Sequence, residues 1–362
     1  MSETGRRRVA ALLSQLLEHR VDGMLVTGLA NIRYLTGFSG SSALALVTQH
    51  NTTLITDFRY KTQVAEEVDD DVVVLIDSES LWNSLWKQLA KFAHIKVIGF
   101  EGVHLSHRDF ERLMEAGARW QWRPTEDVVE ALRQRKDKHE VEQISAAATI
   151  ATTALGALLH NVKPGMTETQ IAGILEKSLR DCGSEAHPFS TIVASGPRSA
   201  LPHERTSSRA VQSGELLLVD FGAVAGGYCA DVTRTFVVGA AGMREREIYN
   251  VVRAANDIAS RGIRAGMKGR EVDAMARSHI ERCGFGAEFG HGLGHGIGLQ
   301  VHEAPRLSRT AEGVLPPAAV VTVEPGIYIP GWGGVRIEDD VYLSSDGPKV
   351  LTNFTRDLVE IR

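Results

Sequence analysis

The segment LLLVDFGAVAGGYCADVTRTFVV, residues 216–238, decides how the C-terminal part of this chain folds. Two apolar, strand-like runs flank the turn sequence Ala-Val-Ala-Gly-Gly at residues 223–227. Asp220 and Asp231 lie one on each side of the turn, and their midpoint falls inside it. In a hairpin, the two carboxylates are therefore expected nearly opposite each other on neighbouring strands, with Cβ atoms roughly 5 Å apart.

A second segment repeats this arrangement further along the chain. Glu324 and Glu338 flank the turn sequence Pro-Gly-Trp-Gly-Gly at 330–334, between strand-like runs at 320–324 and 335–343. Like charges that face each other across a ladder repel and destabilise a sheet. A chain that does this twice, in strands that are otherwise apolar, is expected to hold cations between the carboxylates.

A glycine-rich segment with three histidines lies between the two acidic hairpins. The sequence GHGLGHGIGLQVHE, residues 290–303, carries His291, His295 and His302. Glycine lets backbone and ligands approach closely, and the period of a strand would place His291 and His295 on one face. The Gly-x-Gly spacing is superficially similar to a phosphate loop, but the histidines and the lack of a βαβ context argue against one.

The N-terminal third of the chain has a different pattern. Residues 1–123 alternate helical and strand-like stretches, which predicts an α/β domain with a mixed sheet. Residues 43–57 are expected to form a hairpin around 49–51. No glycine-rich phosphate loop follows the first strand, so a nucleotide-binding role is not indicated.

A polar and charged stretch separates the two parts. We interpret residues 124–138 as a linker and 139–362 as the second domain. Asp137 is a suitable N-cap for a helix. The apolar positions that follow, from Ile144 to Leu158, step by three and four, as expected for a helix with one buried face.

The second domain contains an internal repeat. Residues 164–183 align without gaps to 265–284, with one Met, one Cys and two Gly identical. Each copy is followed by strands and then by one acidic hairpin. This predicts two similar halves related by a pseudo-twofold axis, each giving one carboxylate pair to a shared site. The alternative is a helix-start pattern that occurs twice by chance.

Composition excludes several classes of protein. The 362 residues carry a net charge of −5, which gives no basic footprint of the kind that nucleic-acid binding needs. Three cysteines are too few for a disulfide framework or a zinc–thiolate cluster. The N-terminus does not resemble a signal peptide, and no apolar run approaches the ~18 residues of a membrane span. We expect a soluble, cytoplasmic protein without nucleic-acid or membrane partners.

Taken together, the motifs resemble those of the metal-dependent pita-bread peptidases. This group includes methionine aminopeptidase, aminopeptidase P and prolidase, with creatinase as a metal-free relative. The matching segments begin at His203-Glu, Val219-Asp-Phe-Gly, Asp231-Val-Thr-Arg-Thr, His291-Gly-Leu-Gly-His, His302-Glu-Ala-Pro, Thr322-Val-Glu-Pro-Gly and Val335-Arg-Ile-Glu-Asp. The resemblance implies an α+β pita-bread catalytic domain with pseudo-twofold duplicated halves, preceded by the creatinase/prolidase-like α/β domain that methionine aminopeptidase lacks.

The resemblance also implies a set of metal ligands. They are Asp220, Asp231, His295, Glu324 and Glu338, and all five are present. Four carboxylates and one imidazole form an oxygen-rich set suited to two divalent ions, with Mn²⁺ expected and Co²⁺ or Zn²⁺ as alternatives.

Four further residues match positions around the substrate in this family. By resemblance, His302 faces the substrate carbonyl and His291 is a second substrate-side histidine. His203 lies near the leaving group, and Arg336 braces the metal ligands or contacts substrate. Glu324 is expected to act as general acid–base in addition to its role as a ligand.

The choice of family member rests on fewer residues. Arg306 follows His302 by four positions and resembles the prolidase arginine that clamps the free carboxylate of a dipeptide, a role suited to guanidinium. Tyr328 and Trp332 are expected to form a wall for the proline ring, with ordinary hairpin packing as the alternative.

We therefore predict a proline-specific metallopeptidase that acts on peptides with proline at the second position, with dipeptidase activity favoured. The alternatives are aminopeptidase P, which acts on longer peptides, methionine aminopeptidase, and a creatinase-like enzyme or silent binding protein. The resemblance further implies a homodimer.

Overall fold

The chain divides into two compact units, and the boundary along the sequence lies between Arg133 and Gln134. The computed structural model describes residues 3–362. Met1 and Ser2, which begin the expected N-terminal domain, lie outside the described residues. Each unit is described by itself.

The first unit is built on a six-stranded sheet in the order β4-β3-β2-β1-β5-β6. Strand β1 runs antiparallel to β2 and parallel to β5, so the sheet is mixed, as predicted. Strands β2 and β3 form the expected hairpin. The elements are α1 Glu3–Glu18, β1 Gly23–Val26, α2 Leu29–Thr36, β2 Ala43–Thr48, β3 Thr52–Asp57, α3 Lys61–Glu67, β4 Val72–Asp77, α4 Leu81–Leu89, β5 Val97–Glu101, α5 His107–Glu115, β6 Gln121–Thr125 and α6 Val128–Arg133.

The second unit combines helices with sheets of four, five and two strands. Their orders are β17-β9-β8-β7, β11-β10-β12-β15-β16 and β13-β14. The elements are α7 Lys138–Leu159, α8 Glu168–Asp181, β7 Ile192–Ser195, β8 Leu216–Ala225, β9 Tyr228–Val238, α9 Met243–Gly262, α10 Gly269–Arg282, β10 Gly294–Gly296, β11 Glu303–Leu307, β12 Val320–Val323, β13 Gly326–Ile329, β14 Gly333–Arg336, β15 Asp339–Ser344, β16 Gly347–Val350 and β17 Glu360–Ile361.

Helix α7 begins where the sequence predicted. The Asp137 side chain accepts a hydrogen bond from the Glu140 amide, and the Glu140 side chain accepts one from the Asp137 amide, which completes a capping box. The apolar face from Ile144 to Leu158 is buried. Its alanines and leucines pack against strands β8 and β9, which places one hydrophobic core beneath the first acidic hairpin.

The two halves of the second unit repeat each other, as the sequence predicted. Helices α8 and α10 coincide with the aligned repeats and both end at a cysteine C-cap. The amide of Gly165 donates to the Val211 carbonyl at 2.8 Å, and that of Gly266 donates to the Leu315 carbonyl at 2.8 Å. Because the same backbone contact recurs at the same place in both copies, chance similarity of two helix starts does not explain the repeat.

Within residues 3–362, no helix combines the length and the apolar character that a transmembrane segment requires. Cys182, Cys229 and Cys283 are all free thiols.

Candidate metal centre

The first acidic pair lies on the β8–β9 hairpin, but the two residues are not directly opposite. Asp220 pairs with Thr233, and Asp231 pairs with Gly222. The expected pairing was wrong by two residues because the turn consists of Gly226 and Gly227 alone. Both have positive φ, 54° and 75°, as a two-residue hairpin turn requires. The carboxylates are diagonal neighbours on one face, still within reach of a shared ligand.

The second acidic pair lies where its hairpin is interrupted. Strand β12 pairs with β15 on one side of the break, and β13 pairs with β14 on the other. The strand expected at 320–324 is present and ends at Val323, whereas the strand expected at 335–343 is interrupted at Ile337 and Glu338. Ile337 donates to the carbonyl of Pro325, which has no amide of its own to continue a ladder there. The amides of Glu324 and Glu338 donate instead to the Leu293 carbonyl at 2.8 Å and the Thr233 carbonyl at 3.1 Å.

These backbone contacts bring the second pair against the first pair and the histidine segment. One ligand atom from each of Asp231, His295 and Glu338 lies within 4.8 Å of the others. The His295 Nε2 is 3.4 Å from Glu324 Oε1. Asp220 lies close enough to influence the ionisation of Asp231, Glu324 and Glu338. All five side chains predicted as ligands thus meet at one place.

The electrostatics of this cluster fit divalent cations. Burial raises the pKa of Asp231 and of Glu338 well above the ordinary range, and neighbouring carboxylates raise both further. Burial also raises the pKa of Glu324, to about 7. Within the described residues, the buried Oδ1 atoms of Asp220 and Asp231 have no hydrogen-bond partner. Buried carboxylates need a partner, and cations would supply one to both oxygens.

A set of four carboxylates and one imidazole also suits the chemistry of such ions. The His295 ring is neutral, because burial lowers its pKa to about 4. A neutral imidazole nitrogen has the lone pair that coordination requires.

Arg336 connects the acidic cluster to a buried tyrosine. Its guanidinium donates to Asp220 Oδ2, to the Tyr328 hydroxyl at 2.9 Å and to Thr233 Oγ1 at 3.1 Å. Thr233 Oγ1 in turn donates to Glu338 Oε2 at 2.6 Å. One arginine therefore orients a carboxylate from each hairpin.

His291 lies at the far end of this hydrogen-bond chain. Its Nδ1 is 2.7 Å from the Gly292 carbonyl and its Nε2 is 2.9 Å from the Tyr328 hydroxyl. Since a carbonyl only accepts, Nδ1 carries the proton and Nε2 accepts from the tyrosine. Burial lowers the pKa of His291 to about 4, so the ring is neutral. Between residues 290 and 302 only 294–296 are strand, so the period of two does not extend to His291.

The remaining predicted residues form the more exposed side of the cluster. The ring of His302 is centred 4.4 Å from that of His295. Arg306 is exposed and pairs directly with His295 across β10 and β11, which places both side chains on one face of the sheet. Burial, and then the positive charge of Arg306, lower the pKa of His302. His203 is exposed and lies near His291 and His302.

Several supporting residues were not singled out from the sequence. The Thr322 hydroxyl accepts from the His295 amide at 3.0 Å and donates to Glu324 Oε1 at 3.2 Å. Asp340 Oδ2 accepts from the Asp231 amide at 3.1 Å. For Thr322 a signal was present, because it precedes Glu324 by two residues and therefore shares its face of a strand.

An ion pair anchors the loop that carries His302. The Nζ of Lys136 lies 3.1 Å from Glu303 Oε2, and the side chains of both residues are buried. The Lys136 amide also donates to the Ala318 carbonyl at 3.0 Å. Residue 136 belongs to the expected linker of 124–138, which in the structure also contains the end of β6 and helix α6.

Comparisons with known proteins agree with this geometry. Residues 142–345 match the metallopeptidase family M24, and residues 8–135 match the creatinase/prolidase N-terminal domain. The chain is 35% identical to a Xaa-Pro dipeptidase of Pyrococcus furiosus, over 98% of this chain and 100% of that protein.

Two solved structures extend the likeness to the fold. A Xaa-Pro dipeptidase from Bacillus anthracis superposes with a TM-score of 0.95 at 38% identity, over 98% of this chain and 99% of that one. An X-Pro aminopeptidase from Thermotoga maritima superposes with a TM-score of 0.90 at 36% identity, again over 98% and 99%. This chain therefore belongs to metallopeptidase family M24, with a creatinase/prolidase N-terminal domain and a pita-bread catalytic domain.

Proposed function

We propose that this metallopeptidase is a Xaa-Pro dipeptidase, which hydrolyses the amide bond between a first residue and a C-terminal proline. The observation that supports it best is the pairing of exposed Arg306 with His295. This pairing puts an exposed arginine on the strand next to His295. The names of the similar proteins from Pyrococcus furiosus and Bacillus anthracis point in the same direction.

The five residues of the cluster would hold two divalent cations: Asp220, Asp231, His295, Glu324 and Glu338. A bound pair of cations supplies a water of lowered pKa and polarises the scissile carbonyl. We propose Mn²⁺ as the resident ion because hard oxygen ligands dominate the set.

Three residues in and around the cluster have the remaining catalytic roles. Glu324 holds the proton that the attacking water releases and passes it to the proline nitrogen. His302, neutral and partly exposed, donates its N–H to the carbonyl oxygen as negative charge develops there. His203 lies on the leaving-group side.

A second group of residues keeps the acidic cluster in place. Arg336 holds Asp220, and Tyr328 holds His291 in a single tautomer. These contacts fix the geometry of the site before substrate arrives, which reduces the cost of reaching the transition state.

Arg306 explains why a dipeptide would be preferred. In a Xaa-Pro dipeptide the proline carries a free carboxylate, and guanidinium binds a carboxylate through two parallel hydrogen bonds. In a longer peptide that carboxylate is replaced by an amide, which offers no charge to Arg306.

The function is tested by comparing Ala-Pro, Ala-Pro-Ala and Met-Ala-Ser after metal is restored to the protein. We expect Ala-Pro to be cleaved at the highest kcat/KM and Met-Ala-Ser not to be cleaved. Preferred cleavage of Ala-Pro-Ala would instead identify an aminopeptidase, the second candidate. That candidate is favoured by the similar structure from Thermotoga maritima, which is named as an X-Pro aminopeptidase.

Replacing Arg306 by alanine tests the carboxylate clamp. Loss of a charged hydrogen bond costs about 2 kcal/mol, so KM for Ala-Pro should rise by ~30-fold while kcat changes little. Arg309→Ala is the matched control, because Arg309 is an exposed arginine three residues away. An equal effect of both variants, or a larger loss with Ala-Pro-Ala than with Ala-Pro, would contradict the clamp.

A further inference from the structure

Strand β15, which follows Glu338, carries the buried carboxylate of Asp339 on the face that is turned away from the acidic cluster. Glu338 accepts a hydrogen bond from Thr233, and Asp340 accepts one from the Asp231 amide, so both face the carboxylate cluster. Asp339, between them, points the other way because side chains alternate along a strand. Its carboxylate is 1% exposed.

Arg234 is the principal partner of Asp339. Its Nη2 donates to Asp339 Oδ1 at 2.7 Å, and its side chain is also 1% exposed. Its Nη1 donates to the backbone carbonyls of Thr233 and Glu338 at once. Its remaining donors bind the carbonyls of Phe354 and Thr355.

This arrangement joins two sheets that have no ladder between them. Strand β9 carries Asp231 and Arg234 in the four-stranded sheet, and β15 follows Glu338 in the five-stranded sheet. The distance between two predicted ligands therefore depends on isolated contacts, which include the hydrogen bond from the Glu338 amide to the Thr233 carbonyl and those that side chains make. Arg234 supplies such contacts to the Glu338 carbonyl and to the neighbouring Asp339 carboxylate.

Two further charged side chains, Arg356 and Asp257, connect Asp339 to the protein surface. Its Oδ2 accepts from Arg356 Nε at 2.7 Å, and Arg356 Nη1 donates to Asp257 Oδ1 at 2.8 Å. Thr352 Oγ1 donates to Asp339 Oδ1 at 2.8 Å. Arg356 and Asp257 line a surface cavity of about 340 Å³, which Arg253 also lines.

We propose that Arg234, Asp339 and Arg356 are positioning residues, which hold Glu338 at the distance from Asp231 that tight binding of a divalent cation requires. The inference rests on the proposed function, since it takes Glu338 and Asp231 as ligands. Groups that orient metal ligands from outside the coordination sphere typically change metal affinity by ~10–100-fold. The C-terminal residues 351–357 thereby contact the metal centre indirectly, through the face of β15 that carries Asp339.

Two arginines in the same cavity provide a matched test. Arg356→Gln removes the donor to Asp339, whereas Arg253→Gln removes an arginine that pairs with Asp357 instead. The Mn²⁺ dissociation constant of each purified protein is measured by competition with a chelator. We expect Arg356→Gln to raise it about tenfold and Arg253→Gln to leave it within about twofold of the unchanged protein.

Arg234→Lys provides the stronger perturbation, because a lysine cannot span the carbonyls and the carboxylate together. We expect an increase of up to ~100-fold in the Mn²⁺ dissociation constant. If this buried change prevents folding, Arg356→Gln remains decisive because Arg356 is partly exposed, at 21% of its side chain.

A purely structural role would lower the unfolding temperature of the metal-free variants but leave their Mn²⁺ affinity unchanged. That result would overturn the inference while the proposed function stood. If the unchanged protein itself neither bound Mn²⁺ nor cleaved Ala-Pro, the proposed function would fail, and this inference with it.

Discussion

Replacing Asp231 by asparagine should abolish Mn²⁺ uptake and reduce hydrolysis of Ala-Pro by at least ~10³-fold. Even one electrostatic donor in an active site contributes ~10²–10³-fold, and Asp231 lies in the group whose ligand atoms are within 4.8 Å of each other. The substitution keeps the size of the side chain, so the loss reflects its charge. Metal content by elemental analysis and kcat/KM for Ala-Pro measure the two effects.

The same substitution should have the opposite effect on the stability of the metal-free protein. Burial and the neighbouring carboxylates raise the pKa of Asp231, which means that its negative charge is unfavourable in the folded state. Removing that charge should raise the free energy of unfolding by on the order of 1 kcal/mol, or the unfolding temperature by about 2–4 °C. An inactive variant that is less stable without metal would indicate misfolding rather than loss of a ligand.

Asp273→Asn is the control for the expected rise in the stability of the metal-free protein. Asp273 is as deeply buried as Asp231, but Arg277 donates to both of its carboxylate oxygens. Breaking a buried ion pair destabilises a protein. We therefore expect the unfolding temperature of the metal-free protein to fall in this variant.

The second large effect is the stability that the buried carboxyls of the cluster contribute at low pH in the metal-free protein and lose as the pH rises. Burial raises the pKa of Glu324 to about 7, and the pKa values of Asp231 and Glu338 are also raised. Such a carboxyl binds its proton more tightly in the folded state. The bound proton therefore stabilises the folded state. This contribution to the free energy of unfolding is fully present below the unfolded pKa and is lost as pH rises through the folded pKa.

Glu324 alone should therefore reduce the free energy of unfolding by on the order of 3 kcal/mol between about pH 4.5 and pH 7.5. Divalent metal should reverse the trend, because coordination requires deprotonated carboxylates and becomes stronger as pH rises. Thermal unfolding followed at pH 5, 6, 7 and 8, with chelator and with Mn²⁺, measures both curves. The same curves for a Glu324→Gln variant isolate this contribution, because His291 and His295, whose pKa values burial lowers, change stability in the opposite direction. If the metal-free stability of the unchanged protein, relative to that of the variant, did not fall from pH 5 to pH 7.5, the electrostatic account of Glu324 would be contradicted.

The parts of the fold that the sequence predicted are those with local signals. Helix α7 has an acidic N-cap and a regular apolar face, and strands β2 and β3 have turn residues between two apolar runs. Helices α2 and α3 are only 8 and 7 residues long. Helices this short have too little periodicity to be recognised, and tertiary packing stabilises them.

The candidate site likewise has residues that local sequence signals predicted and contacts that they did not predict. Residue type and spacing pointed to the carboxylates, but the pairing of Asp220 with Thr233 depends on the two-glycine turn, whose length the sequence did not reveal. The hydrogen bonds that Arg234 makes could not be predicted, because they join strands of two sheets over more than a hundred residues. Long-range contacts of this kind follow from the packing of the whole unit.

The buried ion pair of Lys136 and Glu303 limits where the chain can be truncated to obtain a stable C-terminal fragment. A catalytic fragment that began at residue 139 would lose Lys136, the cation beside the carboxylate that follows His302. Removing one partner of a buried ion pair costs about 3–5 kcal/mol, and here the lost stability would affect the loop that carries His302. A fragment that starts at Gln134 keeps the lysine, so truncation and domain-exchange experiments should place their junction before that residue.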